Sequence, residues 1–248
     1  MSGHSKWSTI KHKKAKLDSA RGKTFTKIIK ELTVAARMGG GDPATNPRLR
    51  SAMDNARGAN MPKDTMEKAI KKGTGDLPGV VYEEGSYEGY GPGGVAIFID
   101  VLTDNKNRTT PEIRHMFGKF NGNLGETGSV AWIFERKGQI TIEGENLDED
   151  ELMEAAIECG ADDVQFDEGV CQIFTEPQEL ESVREAMEEK GITLTNVGHT
   201  RIPQNTVALD GKPAMTMLKL MEALEDHDDA QNVYANFDIP DEVFQAME

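Results

Sequence analysis

The sequence predicts a multidomain α+β protein, in which an N-terminal three-helix domain precedes two α+β domains, one ferredoxin-like and inserted in the other. Three observations lead to this prediction. In residues 1–78, apolar residues recur at the spacing of amphipathic helices. From residue 79 onward, short apolar runs typical of strands alternate with helical stripes. Residues 139–203 follow the order β-α-β-β-α-β, which can close as one compact domain.

The first domain, residues 1–78, is predicted to be a basic helical head with an N-terminal arm. The arm, residues 5–23, has too few apolar side chains to be buried, so we expect it to be mobile and to order on a phosphate backbone. Its one large aromatic residue, Trp7, is expected either to stack on a base or to anchor the arm. His4 and His12 have no acidic or cysteine neighbour, so they do not indicate a metal site.

Three helices are predicted to follow the arm. The first ends at three glycines, residues 39–41. The second begins with Asn46 as its N-cap and Pro47 in its first turn. Pro62 is expected to open the third helix and Gly73 to close it. The apolar stripes of the three helices can bury one another as a small bundle.

Residues 79–138 and 204–248 are predicted to form one discontinuous domain, with residues 139–203 inserted between them. The C-terminal part contains two strands and one helix, which cannot bury a core alone but can complete the unit begun in the first part. A linear division of the chain is the alternative. The other elements expected in the first part are strands at 95–102 and 130–134 and a helix capped by Thr110.

The charge is divided as sharply as the fold. The net charge is −15, but residues 1–75 carry 17 Lys and Arg against 6 Asp and Glu, a net +11. Residues 76–248 carry the remaining 11 basic residues against 37 acidic ones, a net −26. Such asymmetry favours a polyanion as the partner of the basic end, whereas the alternative is a solvated basic face.

The inserted domain is the acidic extreme, with 18 acidic and three basic residues between Glu143 and Arg201. A surface of this charge repels phosphate. Three roles are compatible with it: binding a basic protein partner, mimicking nucleic acid, or keeping the chain soluble. The last of these is favoured.

Two glycine-rich or polar loops are candidate contact points. Residues 89–94 match GxGxxG, but a strand follows where dinucleotide binding requires a helix, so that function is excluded. The loop is either a tight turn or, with its flanking tyrosines, a second surface for nucleic acid. Residues 103–109, which contain Lys106 and Arg108, are either a polar turn with a helix cap or another nucleic-acid contact.

The sequence gives no sign of catalysis or of a cofactor. His115, His199 and His227 are scattered, and no nucleophile lies in a recognisable arrangement with a base and an acid. Cys159 and Cys171 are interpreted as buried thiols. No apolar run approaches the ~20 residues of a membrane span, and the first residues lack the apolar stretch of a signal peptide. We therefore expect a non-enzymatic, cytoplasmic protein with no cofactor, no metal and no membrane partner.

Eight short segments are distinctive in combination. They are residues 2–7 (SGHSKW), 11–16 (KHKKAK), 21–27 (RGKTFTK), 46–50 (NPRLR), 60–64 (NMPKD), 88–94 (EGYGPGG), 102–109 (LTDNKNRT) and 128–130 (GSV). With these segments the sequence resembles the YebC/PmpR family over its whole length. The resemblance implies a helical head with two α+β domains around a cleft, a cytoplasmic role in gene expression, and no cofactor or catalytic residue. Members resemble DNA-binding transcriptional regulators in one interpretation and ribosome-associated translation activators in the other.

We therefore predict a nucleic-acid-binding regulator of gene expression, with DNA-binding transcriptional regulation as the main hypothesis. A ribosome-associated translation factor that binds ribosomal RNA and relieves stalled synthesis is the alternative. The predicted nucleic-acid contacts are Lys6, Trp7, Lys11, Lys13, Lys14, Lys16, Arg21, Lys23, Lys27, Arg48, Arg50, Lys63, Tyr87, Tyr90, Lys106 and Arg108.

Overall fold

The structure is a computed structural model that describes Trp7 and residues 18–144, 147–167, 169–240 and 243. In residues 18–21 only the main chain is described. It confirms the predicted α+β class. The chain divides into two compact units, and the division into three domains with boundaries after residues 78, 138 and 203 stays a prediction. The first unit comprises Met1–Glu31, Pro78–Glu135 and Pro203–Glu248, and the second comprises Leu32–Leu77 and Arg136–Ile202.

The N-terminal helices are α1 (Asp18–Gly39), α2 (Pro47–Gly58) and α3 (Lys63–Thr74). Helix α1 begins at Asp18, so the predicted end of the arm at residue 23 is wrong. Local composition does not predict where α1 begins, because lysine side chains of this helix are held by contacts with residues distant in sequence, such as Lys23 by Asp226.

The side chain of Asn46 joins two helix ends. Its Oδ1 accepts a hydrogen bond from the main-chain N–H of Leu49 (3.1 Å), which confirms the predicted N-cap of α2. Its Nδ2 donates to the main-chain oxygens of Ala35 (2.8 Å) and Gly40 (2.9 Å) at the end of α1. One buried amide therefore satisfies main-chain groups that the two helix ends would leave without partners.

Helices α1 and α3 approach closely at Gly73. A Cβ atom at this position would lie 2.4 Å from the main-chain oxygen of Thr33 and 2.8 Å from the Cβ of Ala36. The prediction that Gly73 closes α3 is wrong, because the helix continues to Thr74 and is capped by Gly75, whose φ is 89°. Gly73 is instead required by the helix crossing, since any side chain would force the helices apart.

The first unit contains β1 (Glu83–Tyr90), β2 (Ala96–Thr103), α4 (Lys106–Lys119), β3 (Asn123–Leu124), α7 (Gly211–Glu225) and β9 (Ala230–Ala235). Its antiparallel sheet has the strand order β3-β1-β2-β9. Odd-numbered residues of β2, such as Ile97 and Ile99, face a core that also contains Phe117 of α4 and Met217 of α7. In β2 and β9, Ile97 lies opposite Ala235, so segments far apart in the sequence share one sheet.

The elements of this unit differ from the prediction at three places. Strand β1 lies where no strand is predicted, because its sequence, EEGSYEGY, lacks the apolar pattern of a buried strand. Helix α4 begins one turn earlier than expected, because Asn105 and not Thr110 caps it: Asn105 Oδ1 accepts from Arg108 N at 3.2 Å. The predicted strand 130–134 is a short 3₁₀ turn, Ala131–Ile133, before the next strand.

The second unit contains the predicted ferredoxin-like arrangement. Its elements are β4 (Phe134–Glu143), α5 (Glu149–Glu158), β5 (Asp163–Asp167), β6 (Val170–Thr175), α6 (Leu180–Glu189) and β7 (Asn196–Pro203). The antiparallel strands have the order β5-β6-β4-β7, and the core includes Ile140, Ile173 and Met187. Cys171 is fully buried, and desolvation, together with the charge of Glu149, raises the pKa of its thiol to about 11.

Two further short strands lie among the described residues. β8 (Val207–Ala208) and β10 (Phe237–Asp238) pair in parallel in the first unit. Among the helices of the described residues, none is long and apolar enough to cross a membrane.

The crossing of α1 and α3 gives the first testable prediction. Gly73→Ala should destabilise the protein by about 1–3 kcal/mol, because the added methyl group overlaps main chain that cannot move freely. Gly58→Ala is the matched control: Gly58 is also helical, but nothing lies within 4 Å of an added Cβ. The control should be neutral or stabilising by up to about 1 kcal/mol. Urea unfolding measures both, and equal effects would contradict the prediction.

Candidate nucleic-acid interface

The basic side of α1 contacts the acidic end of α7 within the first unit. Lys23 forms an ion pair with Asp226 (2.8 Å), and Lys27 Nζ donates to the main-chain oxygen of Glu225 (2.6 Å). Trp7 Nε1 donates to Glu225 Oε1 (3.0 Å). Three of the predicted nucleic-acid contacts, Lys23, Lys27 and Trp7, therefore already bind partners within the protein.

The position of Trp7 favours one of the two roles considered for it. Its side chain is only 6% exposed and belongs to the core of the first unit, together with Ile97 and Met217. With the indole ring buried and its N–H bonded, the ring offers no free face on which a base can stack. The structure therefore favours Trp7 as the anchor of the N-terminal segment.

Asp229 is a buried carboxylate, 1% exposed, that accepts hydrogen bonds from four side chains. Lys30 Nζ donates to its Oδ1 at 2.6 Å. Its Oδ2 accepts from Thr109 Oγ1 (2.6 Å), Arg108 (2.7 Å) and Thr103 Oγ1 (3.1 Å). The cluster thus joins α1, the end of β2 and the start of α4 to the turn before β9.

The surroundings of Asp229 stabilise its charged form. Burial alone would raise its pKa, but hydrogen bonds from Lys30, Thr109 and Arg108 and the charge of Lys30 outweigh that effect. The pKa of Asp229 is therefore held far below its usual range. The carboxylate stays ionised in the folded protein and balances the buried ammonium group of Lys30.

The cations of the loop 103–109 have carboxylate partners of their own. Lys106 lies 2.7 Å from Glu83, which is the main cause of its raised pKa. Arg108 contacts Asp104 (3.0 Å) as well as Asp229, and its hydrogen bond to Asp229 is the first cause of its raised pKa. Because both cations are neutralised by carboxylates within the protein, their attraction for phosphate is weakened. The loop is better described as a polar helix start, one of the two alternatives considered for it.

The glycine-rich segment is packed against the core. A Cβ on Gly91 would lie 2.7 Å from the sulfur of Met217, and one on Gly89 would lie 2.6 Å from the main-chain oxygen of Asn123. Gly93, at φ 72°, would place a Cβ 2.3 Å from a methyl carbon of Leu209. These glycines are explained by close packing and backbone conformation, as the tight-turn interpretation requires.

The flanking tyrosines differ in exposure. Tyr87 is half-buried, with its hydroxyl 2.6 Å from Thr110 Oγ1. Tyr90 is 38% exposed, and its hydroxyl donates to the main-chain oxygen of Ser129 (3.1 Å). The same oxygen accepts from Nε1 of Trp132 (3.1 Å), an exposed residue that is absent from the predicted contacts.

Glu88 organises this region and is also absent from the predicted contacts. Its buried carboxylate accepts three main-chain hydrogen bonds, from Gly128 (2.7 Å), Val130 (2.8 Å) and Ala131 (2.8 Å). A single acidic residue in a glycine-rich segment gives no sequence signal of this role. The same holds for Asp229, which the sequence presents as one of several acidic residues in a turn.

The basic residues of the N-terminal helices within the second unit divide into paired and available cations. Arg50 forms an ion pair with Glu181 (2.8 Å), Lys63 lies 3.8 Å from Glu67, and Arg48 contacts the sulfur of Met38 (3.3 Å). Four exposed cations of these helices form no ion pair with any residue that the structure describes. They are Arg37, Lys68, Lys71 and Lys72.

Three of these available cations lie on one face of α3. Lys68, Lys71 and Lys72 have the spacing i, i+3, i+4, which places them side by side on a helix. The buried residues Met66 and Ala69 lie on the opposite face. This surface presents positive charge without internal neutralisation, as phosphate binding requires.

The remaining predicted contacts lie outside the described residues. Helix α1 includes Arg21, but its side chain is not among those described. The others are Lys6, Lys11, Lys13, Lys14 and Lys16.

No metal site is evident in the described part of the chain, where no group of three or more His, Cys, Asp or Glu side chains has a suitable arrangement. The strongly interacting ionisable cluster around Asp229 is buried and internally satisfied. It therefore holds segments of the first unit together.

Two family models match the chain. One describes the N-terminal domain of TACO1/YebC proteins and matches residues 5–76. The other describes the second and third domains of TACO1/YebC proteins and matches residues 82–237. Together they account for most of the sequence.

Similar proteins and a similar structure are known. A protein of Dictyoglomus turgidum is 57% identical over 248 residues, and one of Trichlorobacter lovleyi is 59% identical over 247 residues, with 100% of both chains covered in each comparison. Each bears the name "probable transcriptional regulatory protein". The crystal structure of a conserved hypothetical protein from Aquifex aeolicus has a TM-score of 0.87 at 50% identity, covering 92% of this chain and 94% of that chain.

The cluster around Asp229 gives a prediction about stability. Asp229→Ala should cost about 3–5 kcal/mol, because it leaves the buried charge of Lys30 without its partner. Asp226→Ala removes the carboxylate of an exposed pair, 49% and 62% exposed, and should cost no more than about 1 kcal/mol. Guanidinium unfolding at neutral pH measures both. A loss below about 1 kcal/mol for Asp229→Ala would contradict the role assigned to the cluster.

The lowered pKa of Asp229 also predicts a pH dependence. A carboxylate whose pKa is lower in the folded state contributes full stability above its pKa in the unfolded chain, about 3.9, and loses it as the pH falls further. The stability difference between the wild type and Asp229→Asn should therefore be constant from pH 7 to about pH 5 and should shrink below about pH 4. Unfolding curves at several pH values test this, and a constant difference down to about pH 2 would refute it.

Proposed function

The chain belongs to the TACO1/YebC family, and we propose that it is a non-enzymatic regulator of transcription that binds duplex DNA through the basic face of α3. The relatives named as transcriptional regulatory proteins support the regulatory part of the proposal. The cytoplasm is the compartment in which such a protein would meet its DNA.

The α3 surface is chosen because three of its lysines are not neutralised by described residues. Lys68, Lys71 and Lys72 are exposed, adjacent and free of ion pairs with the described residues. A cation already paired with a carboxylate must give up that partner before it contacts phosphate, whereas an unpaired one only releases its hydration and counterions. Phosphate contacts supply most non-specific DNA affinity, so the available cations matter more than the total number.

The charge of the rest of the chain supports the same assignment. Residues 76–248 carry 37 acidic residues against 11 basic ones. Of the basic residues in this part, Lys106 and Arg108 are neutralised by Glu83, Asp104 and Asp229. Electrostatic attraction to DNA therefore arises from the head helices and is opposed by the remainder of the protein.

The acidic ferredoxin-like region has a separate part in the proposal. Its surface repels nucleic acid, so its compatible partner is a basic protein. Such a contact would let a DNA-bound regulator meet another component of the transcription machinery.

The proposal predicts which lysines determine DNA affinity. Replacing Lys68, Lys71 and Lys72 together by Gln should weaken binding to a labelled DNA duplex. It should also reduce the slope of log K against log salt by about 1 for each lysine that contacts a phosphate. Fluorescence anisotropy over a range of salt concentrations measures affinity and slope together.

The matched control replaces three exposed lysines of the first unit, Lys119, Lys212 and Lys219, by Gln. It changes the net charge by the same amount, so an equal effect of both triple variants would mean that only total charge matters. Sedimentation of lysate with and without DNase then tests the cellular partner. DNase-sensitive association with DNA supports the proposal, and DNase-resistant comigration with ribosomes would refute it.

A further inference from the structure

Four side chains of the basic N-terminal region converge on residues 225–229, which we call the acidic turn. Trp7 Nε1 contacts the Glu225 carboxylate, Lys27 contacts the Glu225 main-chain oxygen, and Lys23 contacts Asp226. Lys30 reaches further along the turn and contacts Asp229. All these contacts lie within the first unit.

The lysines follow one another along a single face of α1. Lys23, Lys27 and Lys30 are spaced four and three residues apart, so they form a row on the helix. The acidic turn follows the C-terminus of α7, where main-chain oxygens without helical partners carry partial negative charge. Lys27 contacts one of these oxygens, at Glu225. The row of lysines therefore faces a short anionic segment made of carboxylates and a helix end.

The strength of these contacts differs along the row. The Lys30–Asp229 pair is buried, with exposures of 8% and 1%, so opening it would leave two desolvated charges. The Lys23–Asp226 pair is exposed, and pairs of this kind contribute little free energy. Lys30 therefore fixes α1 in place, whereas Lys23 can exchange its partner at low cost.

The exchangeable partner has the chemistry of a nucleic-acid backbone. Asp226 presents an oxyanion at 2.8 Å from Lys23, and the Glu225 oxygen lies 2.6 Å from Lys27. A phosphate group binds lysine through the same charge-assisted contacts. The acidic turn and a phosphate backbone therefore compete for the same ammonium groups.

We propose that the acidic turn is an autoinhibitory contact, which occupies the lysines of α1 and so lowers the affinity of the protein for polyanions. This inference rests on the proposed function, because it concerns how nucleic-acid binding is restrained. A polyanion that reaches α1 displaces Asp226 from Lys23, and then the Glu225 oxygen from Lys27. The restraint discriminates against weak, non-specific binding, since only a partner that supplies phosphate at the right place recovers these contacts.

The test uses the full chain with the double substitution Glu225→Gln and Asp226→Asn. The side-chain amide introduced at position 225 still offers an oxygen to Trp7, so the anchor is retained while two carboxylate charges are removed. Affinity is measured first for heparin, a sulfated polyanion, and then for a DNA duplex. The variant removes one exposed pair, Lys23–Asp226, whereas Lys27 keeps its main-chain partner at position 225. We therefore expect the affinity for both polyanions to rise roughly two- to fivefold, with a salt slope steeper by about 0.9 because Lys23 is recruited.

The control is Asp210→Asn with Asp238→Asn, two exposed acidic residues of the same unit. It changes the net charge equally, and neither position belongs to the acidic turn. If the control strengthens binding as much as the test variant, the effect is one of total charge and the inference is overturned. Unchanged affinity of the test variant would also overturn it.

Two further measurements distinguish loss of the fold, and failure of the proposed DNA binding, from failure of the autoinhibition proposal. In a Trp132→Phe background Trp7 is the single tryptophan, because the chain contains two. Its fluorescence emission should be the same in the test variant and its parent, which shows that the anchor and fold are intact. If the parent binds heparin but not DNA, the proposed function fails, whereas a heparin affinity that rises only in the test variant still supports autoinhibition.

Discussion

The buried ion pair between Lys30 and Asp229 is the constraint on which the first unit depends. Neither charge is tolerable alone in the protein interior, so each requires the other together with the surrounding hydrogen bonds. Thr103, Thr109 and Arg108 complete the set of donors to Asp229. As a result, the end of β2, the start of α4, helix α1 and the turn before β9 are held at one point.

The same constraint helps to explain which cations of the chain are paired with carboxylates and which are not. Cations near the Asp229 cluster are neutralised by carboxylates, as Lys106 is by Glu83 and Lys23 by Asp226. While these pairs are formed, the cations contribute to architecture and attract phosphate only weakly. The cations of α3 that lack such partners among the described residues keep positive potential there. Relatives in the same family are named as transcriptional regulatory proteins, and the DNA-binding role proposed for this surface is consistent with its charge.

The glycine-rich motif illustrates how one pattern supports different explanations. Glycines at positions 89, 91 and 93 look like a ligand-binding loop in sequence, yet each is required because a side chain would overlap a neighbouring atom. The neighbouring Glu88 holds residues 128–131 through main-chain hydrogen bonds. The motif therefore fixes one corner of the sheet, where the aromatic side chains of Tyr90 and Trp132 are exposed to solvent.

Local pattern and composition were enough to predict the α+β class, the ferredoxin-like strand order, the cap at Asn46 and the separation of charge. Only the folded chain decides which cations are free, that Trp7 is buried, and what Glu88 and Asp229 hold together. It also decides where α1 begins and why Gly73 is needed. These features depend on pairs of residues far apart in the chain, such as Lys30 with Asp229 or Gly73 with Thr33. A linear pattern carries no information about such pairs until folding brings them together.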